Sequence, residues 1–365
     1  MKKIALIGST GSIGRQVIEV VKAHPDEYKI VAIVAAENRT LFEKQKAELN
    51  PKLCALACDD AEAAKDAAAF AEADIVFNAA GGFAGLNYSL TAINAGKPLA
   101  LANKETLVCG GEFINGLARK KGVEIIPVDS EHSAIWQCMN FDKATKVRRL
   151  IITASGGAFR GYSPEKLKSV TKEQALAHPT WKMGKKITVD SATLMNKGYE
   201  VIEAHMLYGT PYSEIEAVIQ PQSIIHSLVE FADGACLAQM SYPTMEIPIQ
   251  LALSYPERLH TSVNPMDFTR AFSLGFESLE KGAYPCFDLA VACGEAGGTL
   301  PCALNAADEE AVKAFIEGRI AFTDIYRVAD GVIQSAERRQ VKDFDLLTEV
   351  DRAARLKAQK IIKRL

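Results

Sequence analysis

At 365 residues the chain is too long for one ordinary core, and two or three domains are expected. A hydrophobic content of 48% and a charged content of 24% are those of a soluble globular protein. The formal charge of −3 gives no electrostatic reason for nucleic acid or an anionic membrane as partner. The eight cysteines (54, 58, 109, 138, 236, 286, 293 and 302) show neither CxxC nor zinc-ligand spacing, so they read as reduced core thiols. Cys54 and Cys58, four apart, are spaced to share a helix face. No apolar run reaches about 18 residues and no signal-peptide pattern opens the chain, so a cytoplasmic protein is expected.

In chain order, Lys3 to Ile7 is a short apolar run of the kind found in buried parallel strands. It enters Gly8-Ser9-Thr10-Gly11-Ser12-Ile13-Gly14, and a helical pattern follows. Strand, glycine turn and helix form the context of a dinucleotide fingerprint, here spaced GxxGxxG. Glycines let the backbone approach a pyrophosphate seated on the helix N-terminus. A second strand, Ile30 to Val34, ends in Ala35-Ala36-Glu37-Asn38-Arg39, where an adenosine ribose is usually read. Glu37 suits a free ribose 2′-hydroxyl and Arg39 a 2′-phosphate, so the loop pulls both ways. The alternative is that both side chains are simply solvated.

The Ala-rich stretch from Asp59 to Ala73 reads as helix, and Asp74 to Asn78 as a third strand. A further strand, Pro98 to Ala102, leads into Asn103-Lys104-Glu105, and Lys104 follows a strand's carboxyl end, the side on which open α/β sheets bind ligands. VEIIPV (123–128) is the next strand. This alternation predicts a doubly wound α/β domain over the first 130 residues. The last strand ends in Asp129-Ser130-Glu131-His132. On an extended chain Asp129 and Glu131 face the same way and suit one hard cation, with Glu200 as a third oxygen ligand. Alternatively, Asp129 caps a helix and Glu131 sits in its first turn.

Leu150 to Thr153 reads as a strand that opens into a small turn at Ser155. The long polar segment that follows carries His178 and Trp181 and reads as an active-site lid over 155–185. A surface turn at His178 and core packing of Trp181 are the alternatives. The stretch Ile187 to Glu203 gathers Ser191, Asn196, Lys197 and Glu200 in an apolar frame. With a helix starting near Ser191, Asn196, Lys197 and Glu200 share a face. Hydroxyl, amide and ammonium groups beside a helix N-terminus suit an anion such as phosphate. A capped helix with a surface Lys–Glu pair is the other reading. From Ala217 an antiparallel hairpin is expected around Ala232-Asp233-Gly234, then a helix over EIPIQLALSYPERL. The last 80 residues or so read as a helical bundle.

GSTGSIG (8–14), LANKE (101–105), PVDSEHSAIWQ (127–137), ASGGAFR (154–160), AHPTWKMGKKITVDSATLMNKGYEVIEA (177–204), PQSIIHS (221–227) and ALNAADEEAV (303–312), in that order, closely resemble 1-deoxy-D-xylulose 5-phosphate reductoisomerases. The resemblance spans almost the whole chain. It implies an NADPH-dependent enzyme of the non-mevalonate isoprenoid pathway that uses Mg²⁺, Mn²⁺ or Co²⁺ to make 2-C-methyl-D-erythritol 4-phosphate, and that is typically a homodimer. The implied architecture is a Rossmann-like NADPH domain (1–128), a central α+β catalytic domain with a mobile lid (129–255), a connector (256–282) and a C-terminal helical domain (283–365).

The resemblance places the metal carboxylates on Asp129, Glu131 and Glu200. It places phosphate contacts on Ser155, Ser191, Asn196 and Lys197, and other substrate contacts on Lys104, Ser130, His178 and Trp181. Implied cofactor contacts are Thr10, Gly11, Ser12, Ile13, Asn38, Asn103, Glu105 and Gly184, beside the turn glycines Gly8 and Gly14 and the loop residues Ala36 and Glu37. The acid at Glu37 departs from the family pattern and leaves the strictness of NADPH preference to Arg39. Two other readings remain: an aspartate-semialdehyde-type dehydrogenase with Cys138 as nucleophile and His132 as base, and a non-catalytic sensor of nucleotide or sugar phosphate.

Overall fold

The computed structural model describes residues 1–141 and 146–365. They fall into two compact units. The first comprises 1–106, 112–133 and 244–263, and the second 107–111, 134–243 and 264–365.

The first unit is built on β1 (Lys2–Ile7), α1 (Ser12–Ala23), β2 (Tyr28–Ala35), α2 (Arg39–Leu49), β3 (Leu53–Leu56), α3 (Ala61–Ala68), β4 (Ile75–Asn78), α4 (Ala84–Asn94), β5 (Leu99–Leu101), α5 (Lys104–Lys121) and β6 (Ile125–Pro127). The strands pair in parallel in the order β3-β2-β1-β4-β5-β6. Helical crossovers cover a parallel sheet on both faces, so its central strands carry uninterrupted apolar runs. Ile4 to Ile7 and Ile30 to Ala35 are accordingly buried. The direction of winding reverses between β1 and β4, and such a switch point opens a ligand crevice at the carboxyl ends of the strands. This is the expected Rossmann-like domain, with one addition. β3, only four residues long, is absent from the expected strand list. Its pairing with β2 (Ala32 to Leu53, Ala35 to Leu56) fixes it as a strand, not any alternation of its own.

Cys54 lies on β3 and Cys58 in the exposed loop beyond it, so the two share no helix face. Cys58 and Cys236 are exposed, which corrects the reading of all eight cysteines as core. The other six are buried or half-buried, four of them fully, and all eight are free thiols.

The chain continues through α6 (Ser130–Cys138), β7 (Val147–Ala154), α7 (Pro164–Leu167), α8 (Lys172–Ala175), α9 (Lys185–Thr193), α10 (Met195–Tyr208), β8 (Ile215–Ile219), β9 (Ile225–Phe231), β10 (Cys236–Met240), α11 (Glu246–Ser254), β11 (Glu277–Ser278), α12 (Pro285–Ala296), α13 (Leu300–Ile316), α14 (Asp324–Ile333) and α15 (Phe344–Ile362). α11 packs on α1 within the first unit, where Lys2 Nζ donates to Leu253 O at 2.5 Å and His24 Nε2 lies 3.1 Å from Gln250 Oε1. The second unit holds a mixed sheet in the order β10-β9-β7-β8-β11, with the expected hairpin joining β9 to β10. Ile135, Leu150, Ile152, Val201, Ile215 and Val229 form the core between this sheet and α10. α13 is the centre of the helical part, packing on α14, α15 and α9. Its run of buried alanines (Ala303, Ala306, Ala307, Ala311, Ala314) presents little side-chain bulk to those neighbours. No helix among the described residues is long and apolar enough to cross a membrane.

Candidate active site

In the first unit the glycine turn closes on itself. Gly8 has φ of +83°, which favours glycine, and Gly11 N donates to Gly8 O at 3.0 Å. A Cβ on Gly14 would meet Gly8 O at 2.2 Å, so α1 begins as close to β1 as the backbone allows. Gly11 precedes α1 and offers no side-chain cap, which leaves the amides of the first turn free of any local side-chain acceptor. That is the arrangement a pyrophosphate uses. Thr10, Ser12 and Ile13 lie in this turn or the opening of the helix.

Asn38 caps α2, its Oδ1 accepting from Leu41 N at 3.2 Å. Ala36 is tied to the end of β3 by Cys58 N donating to its carbonyl at 3.0 Å, and Glu37 is exposed. Arg39 does not stand alone in the ribose loop: its Nη2 lies 2.6 Å from Asp59 Oδ1. Asp59, expected to open a helix, lies instead in the turn after β3, the unpredicted strand, and α3 begins at Ala61.

Asn103 is buried and caps α5. Its Oδ1 accepts from Thr106 N and Oγ1, while Nδ2 donates to Ala80 O (2.9 Å), Gly82 O (3.0 Å) and Glu105 Oε2 (2.7 Å). Asn103 and Glu105 therefore shape the glycine-rich loop after β4. Asn78 supports it too, with Ala80 N donating to its Oδ1 at 3.1 Å and its Nδ2 bonded to Gly85 O and Ser89 Oγ. Asn78 was not singled out from sequence; a buried Asn ending an apolar strand is the signal that was available.

Lys104, at the carboxyl end of β5, is almost buried and pairs with Asp129 beyond β6. Burial alone would raise the Asp129 carboxyl, but the Lys104 ammonium and then His132 hold it well below the usual carboxylate range. His132 is fully buried, with Nδ1 3.8 Å from Asp129 Oδ1. Asp129 and Glu131 are not on an extended strand as expected. β6 ends at Pro127, Ser133 N donates to Asp129 O at 2.8 Å, and Glu131 lies in the first turn of α6. Ser130 Oγ donates to Glu131 Oε2 at 2.5 Å. These are hard oxygen donors at the start of a helix, a set suited to a divalent cation.

In the second unit, His178 organises a hydroxyl cluster. Its Nε2 lies 2.9 Å from Ser155 Oγ and 3.1 Å from Ser191 Oγ. Its Nδ1 accepts from Thr180 N (3.2 Å) and Trp181 N (2.9 Å). Two amide donors on Nδ1 fix the neutral tautomer with its proton on Nε2, aimed at the serines. Burial also lowers the His178 pKa from its ordinary 6.5, which keeps the ring neutral. The Trp181 ring sits edge-on to buried His226 at 6.0 Å. Gly184 caps α9, its carbonyl accepting from Thr188 N and Oγ1.

Ser191 does not begin the helix that carries Asn196. It lies in the last turn of α9, which ends at Thr193, and Leu194 in the left-handed conformation (φ +56°) breaks the path before α10 starts at Met195. The break turns Ser191 toward His178 while leaving Asn196, Lys197 and Glu200 on α10. As expected, these share a face: Asn196 Nδ2 donates to Glu200 Oε1 at 2.6 Å, and Lys197 pairs with Glu200 Oε2. Both Lys197 and Glu200 are at most 3% exposed, which rules out a surface Lys–Glu pair.

The cysteine-nucleophile reading fails on chemistry. Burial pushes the Cys138 thiol up to about 11, so no useful thiolate forms at neutral pH.

The sequence matches the family described as 1-deoxy-D-xylulose 5-phosphate reductoisomerase over residues 4–67 and 56–111, and its C-terminal domains over 125–208 and 240–357. Among curated relatives, the 1-deoxy-D-xylulose 5-phosphate reductoisomerase of Geobacillus sp. (strain WCH70) is 45% identical over 97% of this chain and 98% of its own. That of Thermodesulfovibrio yellowstonii is 44% identical over 99% and 100%. Among solved structures, a DOX-P reductoisomerase in complex with NADPH, fosmidomycin and magnesium superposes with a TM-score of 0.93 at 33% identity, covering 100% of this chain and 98% of that one. The Zymomonas mobilis enzyme in complex with NADPH gives 0.90 at 36%, covering all of both chains. On this evidence the chain belongs to the 1-deoxy-D-xylulose 5-phosphate reductoisomerase family.

Proposed function

We infer that this protein is an NADPH- and divalent-metal-dependent reductoisomerase that converts 1-deoxy-D-xylulose 5-phosphate to 2-C-methyl-D-erythritol 4-phosphate. The observation that carries the reading is the Lys104–Asp129 pair: an ammonium and a depressed carboxylate follow β5 and β6, on the same edge of the sheet as the glycine turn after β1. Ligands of open α/β sheets bind at that edge.

Asp129, Glu131 and Glu200 are the proposed ligands of one Mg²⁺, Mn²⁺ or Co²⁺, and their all-oxygen chemistry fits a hard ion. When bound, such an ion supplies Lewis acidity and a template for the adjacent carbonyl and hydroxyl of the substrate. NADPH, when bound, supplies the hydride for the reductive half of the reaction. The proposed cofactor contacts are Gly8, Thr10, Gly11, Ser12, Ile13, Gly14, Ala36, Glu37, Asn38, Asn103, Glu105 and Gly184.

Lys104, paired with Asp129, stabilises negative charge on the substrate oxygens, and Ser130 contacts the same end of the molecule. Ser155, Ser191, Asn196 and Lys197 take the phosphate, whose binding energy positions carbons that lie several bonds away. His178, neutral with its proton on Nε2, positions the substrate through the two serines that this nitrogen orients. The 155–185 segment with Trp181 covers the site and excludes water. A division into 1–128 for NADPH, 129–255 for catalysis and 283–365 as helical support is part of the same proposal, as are a homodimer and a cytoplasmic location.

The test is loss of reduced-nicotinamide absorbance with 1-deoxy-D-xylulose 5-phosphate and Mg²⁺, repeated with EDTA. Substrate-dependent oxidation abolished by EDTA is expected. Oxidation unaffected by chelation would remove the metal from the proposal.

A further inference from the structure

Outside the groups just assigned, the described residues of the second unit include two buried carboxylates bridged by a lysine whose side chain is 31% exposed. Lys186, in the first turn of α9, places Nζ 2.6 Å from Asp190 Oδ2 one turn along and 2.9 Å from Asp308 Oδ2 on α13. Asp190 and Asp308 are 2% and 0% exposed. The Lys186 ammonium also lies 5.2 Å from the ring centre of buried Tyr199 on α10. The Lys186 ammonium thus bridges two buried carboxylates.

Asp190 immediately precedes Ser191, whose hydroxyl meets His178. Buried charge is poorly screened, so uncompensated carboxylates here would act on any anion bound at Ser191. The Lys186 side chain also ties α9, whose last turn presents Ser191, to the centre of the helical part.

We propose that Lys186 is a positioning residue for the phosphate site, clamping α9 to α13 and neutralising the Asp190–Asp308 pair beside Ser191. The proposal rests on the assignment of the substrate phosphate to Ser191 and Lys197. It predicts that charge at position 308, which contacts no substrate, tunes affinity for the phosphate and not for the rest of the molecule.

The experiment uses the full-length enzyme with NADPH and Mg²⁺, reading KM for 1-deoxy-D-xylulose 5-phosphate and competitive inhibition by inorganic phosphate and by uncharged 1-deoxy-D-xylulose. Lys186→Met should raise KM and the phosphate inhibition constant about tenfold, leaving the uncharged inhibitor unchanged. Lys186→Arg should stay within about threefold of the parent. Asp308→Asn, which removes one of the two carboxylates that Lys186 bridges, should tighten phosphate about twofold, and the Lys186→Met/Asp308→Asn double variant should recover most of the loss.

A folded double variant as weak as Lys186→Met, or equal losses for charged and uncharged inhibitors, would overturn the proposal. Should Lys186→Met not fold, Asp308→Asn decides alone: tighter phosphate supports the proposal and unchanged or weaker phosphate sinks it. Lys197→Ala separates the two readings. If it leaves phosphate inhibition unchanged, the phosphate assignment fails and this proposal with it. If it abolishes phosphate inhibition while the 186 and 308 variants behave as the parent, only the role of Lys186 fails.

Discussion

The backbone amide of Trp181 donates to Nδ1 of His178 over 2.9 Å, so the aromatic side chain of the proposed lid is anchored on the same ring that reaches Ser155 and Ser191. Protonating that ring would put a hydrogen on Nδ1 against two amide donors. Burial lowers the His178 pKa below 6.5 in the folded protein. The stability attached to the neutral ring is therefore complete above about pH 6.5 and is lost as pH falls toward the folded-state value. Trp181 fluorescence should change reversibly over that acidic window, and His178→Asn should abolish the transition. A transition of the same midpoint in His178→Asn would dissociate the lid from this histidine.

Glu200 accepts from Asn196 Nδ2 at Oε1 and pairs with Lys197 at Oε2 on its own helix; in the neutral isostere Lys197 keeps the remaining carbonyl oxygen, and a turn of the Asn196 amide presents its oxygen to the new NH2. Glu200→Gln should thus remain folded and bind NADPH, while metal-dependent turnover falls by at least about 100-fold. Fluorescence enhancement of bound NADPH and the Mg²⁺ dependence of the rate measure the two properties separately. Parent-like turnover would remove Glu200 from the metal site.

Cofactor choice should be adjustable at Asp59, which the sequence placed only at the head of a helical stretch. Arg39 is engaged by Asp59, and exposed Glu37 adds a second negative charge to the loop. Asp59→Ala releases the guanidinium for a 2′-phosphate. It should lower KM for NADPH roughly threefold and leave NADH unaffected. Equal changes for both cofactors would show that the loop does not read the 2′-position.

Gly157 combines a φ of +67° with a close approach: a Cβ there would lie 2.4 Å from the carbonyl oxygen of Ser191. Gly157→Ala should cost about 2–3 kcal/mol in stability. It should also raise KM for the sugar phosphate, because relief of the clash moves Ser191 away from His178. A thermal melt and a KM measurement check both; an unchanged melting temperature would show that the turn relaxes freely.

Asn103 meets five polar partners through one buried side chain, two on its oxygen and three sharing the two hydrogens of its nitrogen. Asn103→Ala removes a helix cap and strands two loop carbonyls, at a cost of about 2 kcal/mol or more. NADPH binding should weaken with it, since the loop after β4 loses its tether. Binding measured by nicotinamide fluorescence at a temperature where the variant is folded tests this.

Local spacing settled a good deal of this protein in advance. The strand–glycine-turn–helix start, the face shared by Asn196, Lys197 and Glu200, the β9–β10 hairpin and the C-terminal helices all follow from periods of 3.6 and 2 and from turn residues. These are near-neighbour geometries, and near-neighbour geometry is written in near-neighbour residues. The sequence also supplied Lys104 at a strand's carboxyl end, but not its partner.

Tertiary structure decided what depends on distant chain. β3 is a strand because β2 lies beside it, and Asp59 reaches Arg39 only through that pairing. The helix expected to begin near Ser191 is instead divided by Leu194, a non-glycine residue in a left-handed conformation that local propensity disfavours and packing imposes. Lys104 and Asp129, 25 residues apart, and Lys186 and Asp308 meet only once the elements between them have packed. Burial then turns both meetings into strong electrostatic constraints, because charges removed from water must be balanced by whatever the fold brings near.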